Sequence, residues 1–160
     1  MDVRDAHVSE GTGAAIERLY REEGDRLWRA VLFWSGNREI ASDSVAEAFA
    51  QALHRGAAIR DPRAWVWRTA FRVAGGELKE RRRLSGERAD SVYELPDAPL
   101  LLASALAQLS PKQRASVVLH HYAGYPLKEV AAIIGSTPGA VAVHLHRARA
   151  RIREAMSDED

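Results

Sequence analysis

The stretch LKEVAAIIGSTPGAVAVHLHRAR, residues 127–149, decides the fold. In its first half Leu127, Val130, Ala131 and Ile134 recur at i, i+3, i+4 and i+7, one apolar stripe on a 3.6-residue helix. Gly135 ends that helix. Thr137 then offers a side-chain cap, and Pro138 takes the first helical position, where its missing N–H costs nothing. Val141, Leu145, Ala148 and Ile152 face inward at i, i+4, i+7 and i+11, which leaves Gly139, Ala140, Ala142, Val143, His144, His146, Arg147 and Arg151 outward. Two short helices around a tight turn make a helix-turn-helix. Small residues at the start of the second helix and arginines toward its end suit an element that enters a DNA major groove, with its first turns on base edges and its last on phosphates. The alternative is a helical hairpin packed into another kind of all-α domain.

On the N-terminal side of this unit, Ser110, Pro111 and Gln113 spell a capping box, S-x-x-Q with proline at the first helical position. The helix it starts buries Ala115, Val118, Leu119 and Tyr122 and ends at Gly124, and a further helix before it rests on Leu102, Ala105, Leu106 and Leu109. Residues 84–99, LSGERADSVYELPDAP, mix Ser, Gly, Asp and Pro without apolar periodicity and read as a linker.

Three helices are expected before the linker. The first buries Ile16, Leu19, Tyr20, Leu27, Val31 and Trp34 and closes at Gly36 and Asn37. The second, from about Glu39 to His54, buries Val45, Ala48, Phe49 and Ala52. Asp43 and Glu47 share its exposed face four residues apart, a spacing that by itself favours a plain solvated face. The third opens on Asp61 and Pro62 and continues toward Arg83. Trp67, Ala70, Phe71, Ala74 and Leu78 occupy one side of it, while Trp65, Arg68, Arg72, Lys79 and Arg83 line the other. A ring among cations has the composition of a surface for single-stranded nucleic acid, where bases stack on aromatics and cations follow the backbone. A charged face with Trp65 tucked against a neighbour reads the same. Gly75 and Gly76, inside this helix, either permit close approach by another backbone or mark a kink.

The boundaries that follow are a disordered arm at 1–13, a helical domain at 14–84, a linker at 85–99, a helix-turn-helix domain at 100–156 and an acidic tail at 157–160. The fold class is all-α, two small helical domains joined by a flexible linker. Charge divides along the same lines. Residues 14–84 hold 14 basic and 10 acidic side chains and residues 100–156 hold 7 and 2, whereas 85–99 hold 1 and 4. Both folded parts are basic and so favour an anionic partner.

The 160-residue chain has no cysteine, which removes disulfides, thiolate metal sites and thiol catalysis together. It has no run of membrane-spanning length and no signal-peptide pattern, so a cytoplasmic protein without membrane insertion is expected. His120 and His121 point about 100° apart on a helix, and His144 and His146 about 200° apart. Neither pair converges readily on one ion, and no cofactor, metal or catalytic constellation is expected. The chain reads as a binder.

Taken together, these parts resemble a bacterial RNA polymerase sigma factor of the extracytoplasmic-function (ECF) type, over about residues 16–156. ASDSVAEAFAQAL, residues 41–53, is similar to that family's helix for docking on core RNA polymerase. DPRAWVWRTAFRVAGGELKERRR, residues 61–83, is similar to its helix for the melted downstream (−10) element. Residues 109–153 are similar to its reader of the upstream (−35) element. The resemblance implies a non-enzymatic role in promoter-specific initiation. Asp43 and Glu47 would meet polymerase. Trp65, Arg68, Arg72, Lys79 and Arg83 would hold melted strand, and Lys128, Pro138, Gly139, Ala142, Val143, His146 and Arg147 would meet duplex. It also implies an anti-sigma factor that clamps between the two domains.

The sequence departs from the family at several of these positions. Ala46 stands where Gln is usual in the docking helix and Ser44 where an aliphatic residue is usual. Arg72 replaces a usual Asn, and Gly76 a usual Asp. Ala140, Ala142 and Val143 replace the customary Thr, Lys or Arg, and Ser, so bidentate readout falls mainly to Arg147 with His146 beside it. Two other readings stand beside this one: a helix-turn-helix regulator that binds duplex DNA without polymerase, and a polymerase-docking interaction protein that no longer reads promoters.

Overall fold

The computed structural model describes residues 3–85, 93–95 and 98–158, with side chains from residue 11 onward. The linker at 86–92 and 96–97, the first two residues of the arm and the last two of the tail lie outside these. All regular structure among the described residues is helical. The elements are α1 (Val3–Ser35), α2 (Arg38–Arg55), α3 (Pro62–Ser85), α4 (Leu100–Ala107), α5 (Pro111–Val117), α6 (Leu127–Ile134) and α7 (Pro138–Ser157).

The caps expected from sequence set the helix ends. Asn37 Oδ1 accepts from Ile40 N at 3.0 Å to start α2, and Asp61 Oδ1 accepts from Ala64 N at 3.2 Å in the first turn of α3. The capping box of α5 is reciprocal, Ser110 Oγ accepting from Gln113 N and Gln113 Oε1 from Ser110 N. α1 begins earlier than expected, at Val3, so residues 3–13 of the expected arm are helical. Gly11 and Gly13 cost about 1 kcal/mol each relative to alanine. Propagation from a helix already fixed at buried Ile16 adds one hydrogen bond per residue and carries the chain through them.

A single apolar core runs through both halves, from Ile16, Leu27 and Val31 of α1 through Val66 and Trp67 of α3 to Leu119, Val130 and Val141. Trp34, at the end of α1, lies at its centre. Its ring stacks on Phe71 with centroids 5.1 Å apart, and its indole N–H donates to the Pro111 carbonyl at 2.9 Å. From the other side Arg114, buried on α5, donates to the carbonyls of Trp34, Leu106 and Leu109 and lies over the Tyr93 ring. Tyr93 and Leu95, in a stretch that reads as linker, are docked here. The Tyr93 hydroxyl donates to the Phe33 carbonyl, Glu94 N donates to Gly36 O at 2.7 Å, and Leu95 is buried. Gly36 is required twice over. Its φ of +63° suits glycine, and a Cβ there would lie 2.2 Å from the Tyr93 ring.

Sequence periodicity predicts one continuous helix from residue 111 to Gly124, but after α5 the chain widens into a π-helical turn at Val118–Tyr122. That turn exposes the Tyr122 and Ala123 carbonyls, and Arg26 of α1 donates to both at 3.1 and 3.2 Å. Three side chains differ from their expected faces. Tyr20 is 56% exposed with its edge toward Phe49, Leu102 is 44% exposed, and Ile133 rather than Ile134 is the buried isoleucine of α6. Ser44 is fully buried in α2, and its hydroxyl has no hydrogen-bond partner among the described residues.

Candidate nucleic-acid interface

The turn between α6 and α7 is built as the local sequence dictates. Gly135 adopts φ +68° and caps α6, Ser136 N donates back to Ala131 O at 2.8 Å, and Thr137 Oγ1 accepts from Ala140 N at 3.1 Å. Val141, Leu145 and Ala148 are buried against α5 and α6. Helical periodicity then turns Pro138, Gly139, Ala142, Val143, His146 and Arg147 outward, and all six are exposed. Lys128, in the first turn of α6, is exposed as well. His144 is half-buried rather than fully outward. Burial, with the neighbouring charges of Lys112 and Arg147, holds its pKa below the usual 6.5.

On α3 the five predicted cationic and aromatic positions have different environments. Trp65 is half-buried, and the Arg55 guanidinium lies 5.8 Å from its ring centroid. Arg68 is exposed but engaged: its Nε and Nη2 both donate to Glu129 Oε1 of α6, at 3.1 and 2.8 Å. Arg83 is held by Glu80 one turn back, Nη2 to Oε1 at 2.7 Å. Arg72 and Lys79 are exposed and make no ion pair among the described residues. The sequence did not single out the partners of this face. A groove of about 770 Å³ separates α3 from α5 and α6, with Arg68, Arg72, Lys79, Arg82 and Lys112 around it and Trp34, Phe71 and Ile133 as apolar lining. Gly75 stands in its wall, and the Trp34 ring comes within 3.3 Å of where a Cβ would be, so the close approach is by a side chain and not by backbone. Gly76 faces open space.

On α2, Asp43 and Glu47 are both exposed, and Glu47 Oε1 accepts from Gln51 Nε2 at 2.8 Å. Their face continues through Ala46 and Ala50 to Leu53, where an open apolar groove of about 590 Å³ runs between α2 and α1 beside Tyr20. Periodicity does not announce it, because the pattern assigns Tyr20 to the core.

Comparison with known proteins bears on this arrangement. The family model described as sigma-70, region 4 matches residues 100–152, the third of the chain that contains the helix-turn-helix. The ECF RNA polymerase sigma factor SigL of Mycobacterium tuberculosis is 30% identical over 156 residues, covering 88% of each chain. The ECF RNA polymerase sigma factor BldN of Streptomyces coelicolor is 29% identical over 168 residues, and the chain spans 63% of its length. In fold, the chain is similar to the sigma factor RpoE of Bartonella quintana, solved in complex with the anti-sigma factor NepR, with a TM-score of 0.73 over 88% of this chain and 96% of that one at 21% identity. With a helix-turn-helix, a basic α3 and a relative 30% identical over 88% of each chain, the chain belongs to the ECF family of RNA polymerase sigma factors.

Proposed function

We propose that the chain binds core RNA polymerase in the cytoplasm and directs initiation at a small set of promoters, with α7 in the major groove of the upstream element and the exposed side of α3 on the melted downstream strand. Polymerase supplies the catalysis, and this subunit supplies sequence choice. The observation that carries the reading is the exposed strip Pro138–Arg147 on a capped, well-packed α7, opposite a face buried in the core. Trp65, Arg72 and Lys79 supply a ring and two cations for unstacked bases and their phosphates. Arg68 joins them when its pair with Glu129 breaks. Asp43 and Glu47 present carboxylates to a basic surface of polymerase. An anti-sigma factor, as RpoE has in NepR, is the inhibitory partner, and the basic groove between α3 and α5–α6 lies between the two domains where such a protein would clamp.

Co-purification with core polymerase tests the docking assignment. Asp43→Ala combined with Glu47→Ala is expected to lower the amount of core polymerase retained while the thermal unfolding curve stays unchanged. Undiminished retention would remove both residues from the contact.

A further inference from the structure

The reading strip of α7 has an unusual chemistry over its first two turns. Its exposed side chains there are Pro138, Gly139, Ala142 and Val143, none with a hydrogen-bonding atom; His144 is half-buried, and the Thr137 hydroxyl just before the helix accepts from Ala140 N. The first exposed polar side chains within the helix, His146 and Arg147, come one turn later. Val143 is 46% exposed. A β-branched residue here slightly lowers helix propensity and leaves an apolar side chain facing outward.

In a major groove every base pair presents donors and acceptors, but only thymine presents an apolar group, its C5 methyl. A strip without donors or acceptors gains by covering that methyl and loses by covering a base nitrogen or oxygen that it cannot satisfy. We propose that this chain selects its upstream element through thymine methyls, with Ala142 and Val143 each covering one, and that Arg147 adds a bidentate contact to a guanine. Four residues of helix rise about 6 Å, so Val143 and Arg147 reach positions about two base steps apart. The element is therefore a thymine-bearing pair of positions with a G·C pair within about two steps. This rests on the proposed sigma function and adds the class of base that α7 accepts.

The test uses holoenzyme reconstituted from core RNA polymerase and the full chain. It first selects from duplex promoters randomised over the upstream element. The selected element is then rebuilt with deoxyuridine in place of each thymidine in turn, which removes only the methyl. Two uridine-sensitive positions are expected, each weakening binding about four-fold, with Val143→Ala abolishing the sensitivity at one of them. A selected element whose uridine forms bind as tightly overturns the proposal while leaving the sigma function standing. So does uridine sensitivity that survives Val143→Ala at both positions. A holoenzyme that selects no element removes the sigma function, and this inference with it.

Discussion

Trp34 and Arg114 each hold the other's half of the molecule: the Trp34 indole N–H reaches the Pro111 carbonyl at 2.9 Å, and the Arg114 Nε–H reaches the Trp34 carbonyl at 2.6 Å. The residues are 80 positions apart, and Arg114 is 6% exposed. A buried guanidinium that satisfies three carbonyls is costly to remove, because the carbonyls stay behind without donors. Arg114→Met is expected to destabilise the chain by about 3 kcal/mol or more. The urea unfolding midpoint measures it. A loss below about 1 kcal/mol would mean that the arginine is replaceable at the seam.

The adjacent glycines of α3 separate two effects. Alanine is favoured over glycine in a helix interior by about 1 kcal/mol. Gly76→Ala, into open space, is expected to gain that amount, whereas Gly75→Ala places a methyl 3.3 Å from the Trp34 ring and is expected to gain nothing or lose stability. Thermal denaturation of the two variants checks the difference. An equal gain at both positions would show that Trp34 yields easily.

Acid should weaken the half that carries the helix-turn-helix. Burial holds the His121 pKa below 6.5, with His120 and Arg149 adding repulsion, and His144 is lowered in the same sense. Below about pH 6.5 the unfolded chain therefore takes up these protons before the folded chain does, and stability falls as the pH drops. The expected result is a melting temperature that declines from pH 7 toward pH 5.5, with a shallower decline in a His121→Gln, His144→Gln variant. An identical slope in that variant would assign the acid sensitivity to other groups.

The pair between Arg68 and Glu129 is partly exposed, so Glu129→Gln is expected to change stability by less than about 1 kcal/mol. Its larger effect is on binding. The carboxylate competes with phosphate for Arg68, and its removal is expected to tighten binding of a single-stranded promoter oligonucleotide to the free chain, measured by fluorescence anisotropy at low salt. Unchanged affinity would place Arg68 outside the strand-binding face.

The parts of this fold that are legible in the sequence are those whose physics is local. Gly135, Thr137 and Pro138 specify the turn of the helix-turn-helix within four residues, and Ser110 with Gln113 specifies the start of α5. The exposed strip of α7 follows from them by periodicity. What escaped is non-local. Arg114 reads as one more surface cation, and only the packing of α1 against α5 makes it a buried clamp. The docking of Tyr93 depends on the space above Gly36, which no pattern near residue 93 announces. The π-helical turn at Val118–Tyr122 keeps helical composition and changes only its hydrogen-bond span, so periodicity cannot reveal it. Periodicity puts Arg68 on the exposed side of α3, but its partner Glu129 lies 61 residues away.

Run-off transcription from a pool of genomic promoter fragments, with purified core polymerase alone and with the chain added, tests the central claim most directly. The expected result is a small set of defined start sites that appear only with the chain present and are lost or weakened with Arg147→Ala. The same transcripts with and without the chain would contradict it.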